Sequence, residues 1–310
     1  MYRNPLALIS LGVFCVGLNP IVTKALQMHP TNVGFYRFFF GSLICLTFIL
    51  LSKSRLDRKS LGDSLPYFLL AGFFFAIDIW FWNRSIMFIG AGVATLLANT
   101  QIFYNVLIGL VFKGERPSKR FYPGIISAVV GITMASFHYL QNLSGDHATG
   151  VIYGLITGAS YALVTFYLHK GIERDKSLGA FPILWVSIAG TLTLFTVSIV
   201  EGSLALFPVE TTPYLLLYGT LHFLGWHLIS KAMGSLSLAV SSLLLLLQPV
   251  YATFFGNYFF GETLNSTTVL GLATALFGIY LASTSRQRIE TPNTTEPSII
   301  DIEDYKELGI

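Results

Sequence analysis

The chain has 310 residues, is 53% hydrophobic and only 11% charged, and carries a formal net charge of +3; its mean hydropathy is +0.65. Soluble domains carry about 25% charged residues, so this composition excludes a water-soluble globular protein and makes lipid the solvent for most of the chain. So small a net charge says little about partners: the lipid bilayer is one, and nucleic acid is not expected.

Apolar stretches of about 20 residues, enough to cross a bilayer, fall in chain order near 5–25, 32–52, 65–88, 91–112 and 121–140. The second half adds 150–169, 180–200, 213–231, 236–260 and 266–284. The first is read as a span and not a removed signal peptide, because no small-residue cleavage site precedes a polar mature region. Pro5, Pro66, Pro123, Pro182 and Pro213 open five of the stretches, and proline suits a first helical position, where its missing N–H leaves nothing unsatisfied. Cys15 and Cys45 lie in apolar runs and read as small buried hydrophobes. From Arg286 onward the chain is rich in Thr, Pro, Ser and acids, which is expected to be a disordered tail.

Basic residues set the orientation. If both termini are cytoplasmic, every Lys and Arg except Lys24, Arg37 and Arg84 falls on the cytoplasmic side, as the positive-inside rule requires.

Two segments repeat at an offset of 147 residues: Gln101, Tyr104, Gly114, Glu115, Gly124 and Gly131 recur as Gln248, Tyr251, Gly261, Glu262, Gly271 and Gly278. An offset this long is no solenoid period; it marks a duplicated half. Five spans per half is an odd number, so the second half enters the membrane from the opposite side. The expected fold is therefore an all-α integral membrane protein of ten transmembrane helices in two inverted five-helix repeats, residues 1–145 and 146–285, followed by a cytoplasmic tail, 286–310. Such repeats are typical of secondary transporters.

The two span–Gly-Glu–loop–span units, Leu96 to Gly131 and Leu243 to Gly278, together with Lys24 and Arg37, resemble the ten-span EamA-type branch of the drug/metabolite transporter superfamily. The resemblance covers roughly residues 5–285. It implies a secondary carrier with a central cavity between the halves, working by alternating access, commonly as an exporter of amino acids or other metabolites. A multi-pass protein of a bacterial inner (plasma) membrane is the matching location.

Of the sixteen acidic residues, only Asp78 lies deep in a span. A carboxylate at mid-bilayer is expensive and by default faces a cavity. Phe74, Trp82 and Ser85 share its helix face. Asp78 could couple protons, pair with a substrate ammonium, or exchange between the two; the structural alternative is an ion pair with Arg37. Arg37 itself either snorkels or holds a substrate carboxylate, and Lys24 reads as an interfacial anchor. Gln101 with Tyr104, and their repeats Gln248 with Tyr251, present hydrogen-bonding faces that either line the cavity or join helices. Pro249 is expected to kink its span. Asn99 and Asn105 are weaker members of the same set. Trp80, Trp82, Asn83, Tyr161, Trp185, His222, Trp226 and His227 are further cavity candidates; aromatics near span ends more often form interfacial belts, and Tyr161 and Trp226 lie nearer mid-span. His222 and His227 are five apart and do not share a face, so no metal site is expected, and no cofactor. Glu115 and Glu262 read as caps at span ends.

The substrate expected is a small zwitterion such as an amino acid, moved outward by family analogy, with protons a candidate coupling ion. A proton-coupled exporter of aromatic cations is the alternative. An intramembrane enzyme would need more than one deep acid, and a receptor would not need the repeat.

Overall fold

The computed structural model describes residues 4–52, 58–113, 115–116, 121–141, 145–174, 178–236, 241, 244–245, 247–261, 265–283 and 288–289. Gly114, Leu243, Glu262, the basic residues Lys53, Arg55, Lys119, Arg120, Lys176 and Arg286, and the tail beyond Ile289 lie outside the described residues.

Helix α1 (Pro5–Gly17) starts where Asn4 Oδ1 accepts the amides of Leu6 and Ala7 at 3.0 and 3.1 Å, a side-chain N-cap. It stops at Gly17 because Pro20 has no N–H to offer the Val16 carbonyl; α2 (Asn19–Ala25) then continues the span. Helix α3 (Pro30–Leu51) again opens on proline. Helix α4 (Arg58–Ala98) is interrupted at Gly90, whose φ of 79° and ψ of 165° belong to a region only glycine enters freely.

The two stretches expected at 65–88 and 91–112 are divided differently in the structure. Pro66 sits inside α4, not at its start, and the second stretch breaks between Ala98 and α5 (Gln101–Lys113). Side chains cause that break. Asn99 Nδ2 donates to the Thr95 carbonyl at 2.9 Å and Thr100 Oγ1 to that of Leu97 at 2.6 Å, competing with the helical ladder. The Thr100 amide tightens to an i−3 bond on Leu97 at 3.0 Å.

The remaining helices are α6 (Phe121–Gln141), α7 (Gly145–Arg174), α8 (Phe181–Val200), α9 (Thr212–Met233), α10 (Leu247–Phe260) and α11 (Ser266–Ser283). Strands β1 (Glu115–Arg116) and β2 (Arg288–Ile289) pair antiparallel, Glu115 opposite Ile289. Among the described residues, five stretches are long and apolar enough to cross a membrane: Pro5–Ala25, Pro30–Leu51, Gly62–Asn105, Gly145–Arg174 and Phe181–Val200, with shorter apolar helices at Tyr122–Ala135 and Ser266–Gly278. The Gly62–Asn105 stretch has 44 residues, about twice what one crossing needs, and contains the Gly90 interruption.

Burial is inverted relative to a soluble protein. Leu50, Leu51, Leu192, Val200 and Phe254 are exposed, whereas Asn19, Arg37, Asp78, Asn99, Gln101 and His222 are buried. Lipid as the outer solvent accounts for both, and the chain is a multi-pass membrane protein. Helix α4 packs on α7 and α8, α3 on α8 and α9, α1 on α9, and α6 on α11.

The α6–α11 contact is made backbone to backbone. A Cβ on Gly131 would run into Ala275, one on Gly278 into Ala128, and one on Gly271 into Ala135. Positions rising along α6 therefore meet positions falling along α11, so the two helices are antiparallel. The Gly131–Ala275 and Gly278–Ala128 contacts exchange under the 147-residue offset. Ser127 Oγ donates to the carbonyl of Thr274, its own counterpart 147 residues away, at 3.2 Å.

Candidate substrate cavity

Helix periodicity puts Phe75, Asp78, Ile79 and Trp82 on one face of α4, where they line a cavity with Thr95 and Ala98 from beyond Gly90. In a straight helix Thr95 would stand about 25 Å from Asp78; the Gly90 turn brings them to one wall. Arg37 of α3, Val16 of α1, Tyr161 of α7, Trp226 of α9 and Gln248 of α10 complete the lining. The space swept by water centres is about 20 Å³, room for a water or two.

Arg37 is 1% exposed. Its guanidinium lies 5.4, 5.6 and 5.4 Å from the ring centroids of Phe75, Trp82 and Tyr218, within cation–π range. Nε donates to His222 Nδ1 at 3.1 Å, and Nη1 has no partner among the described residues. Asp78, 4% exposed, makes no hydrogen bond or ion pair among the described residues; Arg37 is the opposing charge that acts on it. The Tyr161 hydroxyl accepts from Gln248 Nε2 at 2.9 Å, and its ring meets Trp226 edge-on at 5.9 Å. Trp226 Nε1 and Thr95 Oγ1 are buried without partners among the described residues.

Six residues expected at the site thus come together here: Arg37, Asp78, Trp82, Tyr161, Trp226 and Gln248. His222 stands one layer behind, on Arg37. Gln101 neighbours the Tyr161 hydroxyl and accepts from Thr165 Oγ1 at 3.4 Å, while its Nε2 lacks a partner among the described residues. Tyr104 and Tyr251 do not line the cavity. Tyr104 is partly buried, and Tyr251 packs on Gly17 and edge-on to Phe14 at 5.3 Å. Asn105 donates to Thr165 at 3.0 Å, joining α5 to α7, and Lys24 covers the Phe260 ring at 4.9 Å. Phe75 and Thr95 were not anticipated. Phe75 is three residues from Asp78 and could have been found by periodicity; Thr95 could not, because periodicity is lost across Gly90.

A second polar cluster adjoins the cavity, with Thr31 six residues from Arg37 along α3 and Arg84 six residues from Asp78 along α4, about 9 Å of helix rise in each case. Glu201, at the end of α8, accepts Trp80 Nε1 at 2.7 Å and Arg84 Nη2 at 2.9 Å on Oε1, and Thr31 Oγ1 at 2.5 Å on Oε2. Arg84 also stacks on Trp80, 3.7 Å from its centroid, and donates to Thr31 Oγ1 at 3.0 Å. Asn32 Nδ2 and Tyr36 Oη fasten the carbonyls of Ser203 and Ala205 at 2.6 and 2.7 Å. Partial burial raises the Glu201 carboxyl, but the Thr31 and Trp80 hydrogen bonds and the Arg84 and His29 charges outweigh it, leaving it below its ordinary range.

Residues 4–137 and 148–284 both match the EamA-like transporter family. The chain belongs to that family. This EamA-type member of the drug/metabolite transporter superfamily is similar to an uncharacterized transporter of Archaeoglobus fulgidus, 26% identical over 289 residues that cover 89% of this chain and 95% of the relative. It is also similar to an S-adenosylmethionine uptake transporter of Rickettsia bellii, 20% identical over 178 residues, 55% of this chain and 58% of the relative. A solved structure titled "Crystal structure of protein" shares the fold, with a TM-score of 0.63 at 13% identity, covering 91% of this chain and 98% of that one. The family's members are transporters, not enzymes.

Proposed function

We propose that this transporter is a ten-span secondary carrier that moves a small zwitterion of the amino-acid class through the cavity by alternating access. One observation carries the reading: the cavity is lined by polar groups of both signs that lack partners among the described residues. Asp78 and Thr95 Oγ1 offer acceptors, and Arg37 Nη1 and Trp226 Nε1 offer donors. Buried polar groups are ordinarily satisfied; an ammonium between the acceptors and a carboxylate between the donors would satisfy them. The aromatic faces of Phe75, Trp82 and Trp226 suit an apolar or cationic substituent. S-adenosylmethionine, named for the rickettsial relative, carries an ammonium, a carboxylate and a sulfonium, and belongs to the class this set would recognise.

The inverted arrangement is supported by the antiparallel, offset-related contacts of α6 and α11, and the cytoplasmic termini by the distribution of Lys and Arg. Asp78 is the group we assign to proton coupling, exchanging a proton for the substrate ammonium.

Counterflow in proteoliposomes, read in both directions with an amino-acid panel and S-adenosylmethionine, with and without a pH gradient, tests the reading. Asp78→Asn should abolish stimulation by the gradient. Arg37→Gln should raise KM for carboxylate-bearing substrates about 10- to 150-fold, the equivalent of one charged hydrogen bond of about 1.5–3 kcal/mol. Absence of any exchange by the wild-type carrier, or unchanged transport in both variants, sinks it.

A further inference from the structure

We infer that His222 is a positioning residue: a neutral imidazole that aims Arg37 at a substrate carboxylate without occupying the guanidinium fork with a competing acid. The inference rests on the zwitterion reading above and adds the group that makes it specific for an acid.

The direction of each hydrogen bond follows from chemistry. Arginine has no acceptor, so the 3.1 Å contact from Arg37 Nε requires a lone pair on His222 Nδ1. The ring proton is then on Nε2, which faces Ser187 Oγ at 3.2 Å and donates to it. His222 and Ser187 are fully buried, and the three residues come from α9, α8 and α3.

The ring cannot turn away from this arrangement. Gly41 leaves it room on one side, where a Cβ would stand 2.6 Å from His222 Cδ2. Phe38 meets it edge-on at 5.0 Å and Phe75 tilts over it at 5.6 Å. A ring held by these three neighbours and hydrogen-bonded at both nitrogens fixes the Nε bond, and the planar guanidinium then presents its remaining nitrogens in one orientation.

The choice of acceptor matters. A carboxylate at this position would orient Arg37 equally well, but it would neutralise the charge and compete with the substrate for the bidentate fork. A neutral acceptor orients without competing. Asp78, the acid that shares the cavity, acts on Arg37 across it but makes no contact ion pair with it, so the guanidinium fork stays open on that side.

The test compares S-adenosylmethionine with its decarboxylated form, the same molecule without the carboxylate, using quenching of Trp82 and Trp226 fluorescence in purified full-length carrier. His222→Asn, which keeps a neutral acceptor near the Nδ1 position, should bind both probes like the wild type. His222→Leu and His222→Glu should weaken S-adenosylmethionine at least tenfold and leave the decarboxylated probe unchanged. Equal loss of both probes in His222→Leu, or wild-type affinity for S-adenosylmethionine in His222→Glu, overturns the inference. If the wild type binds neither probe, S-adenosylmethionine fails as a substrate, and the positioning is decided by ¹⁵N NMR of the His222 ring. A proton on Nε2 and an Nδ1 signal that moves in Arg37→Gln upholds it; a proton on Nδ1 refutes it.

Discussion

Replacing Glu201 with glutamine removes the charge on which three side chains converge. The carboxylate accepts Trp80 Nε1, Arg84 Nη2 and Thr31 Oγ1 at 2.7, 2.9 and 2.5 Å, and the Arg84 and Glu201 side chains are 16% and 24% exposed. Hydrogen bonds to charged groups contribute about 1.5–3 kcal/mol each when dry, but water at this cluster screens the ion pair toward the 0–1 kcal/mol of surface pairs. Glutamine keeps one oxygen acceptor, so the expected loss is about 1–2 kcal/mol, or about 1.5–3 °C in melting temperature for a chain of 310 residues. The pH dependence has a definite sign. The folded-state pKa lies below the ordinary 4.5, so the stabilisation is fully present above about pH 4.5 and is lost as pH falls through the folded value. Cys15 and Cys45 are buried and free, which makes a fluorogenic thiol reagent a direct reporter of melting. The wild type should lose its advantage over Glu201→Gln as pH falls below about 4.5. Identical melting of the two proteins at pH 7, or an advantage that grows on acidification, refutes the reasoning.

Two further substitutions probe other parts of the fold. Gly131→Val drives a side chain into the Ala275 backbone and should cost about 1–3 kcal/mol or more by overpacking; Gly278→Val, its counterpart, should cost a similar amount in the same thiol melt, and a large disparity would argue against a two-fold relation. Tyr161→Phe strands Gln248 Nε2, which donates to the hydroxyl at 2.9 Å. An unsatisfied buried donor costs about 1–3 kcal/mol, so the melt should fall by a few degrees, and an unchanged melt would mean that the amide finds another partner.

Much of the helical layout was legible in the chain because each signal is local. Pro5, Pro182 and Pro213 do open helices, since a missing N–H is harmless only there. Pro66 misled, because α4 begins upstream of it at Arg58. Asp78 and Arg37 stood out as rare charges in apolar sequence. Their surroundings did not, because those depend on contacts between distant segments. His222 lies 185 residues from Arg37, and Glu201 lies 170 from Thr31, separations no helical period can carry. Tyr104 and Tyr251 show the opposite limit: three residues from a glutamine is a neighbouring direction on a helix, and it need not be the same wall.

The Glu201 cluster has an unlike counterpart. Under the 147-residue offset Arg84 corresponds to Lys231 and Trp80 to His227, yet His227 stacks at 5.4 Å on Phe223 and lies 5.5 Å from Phe48. The Glu201 cluster is held by charge and hydrogen bonds, and His227 packs among rings. Added salt loosens the first by screening, while salts excluded from protein surfaces, such as sulfate, tighten the second.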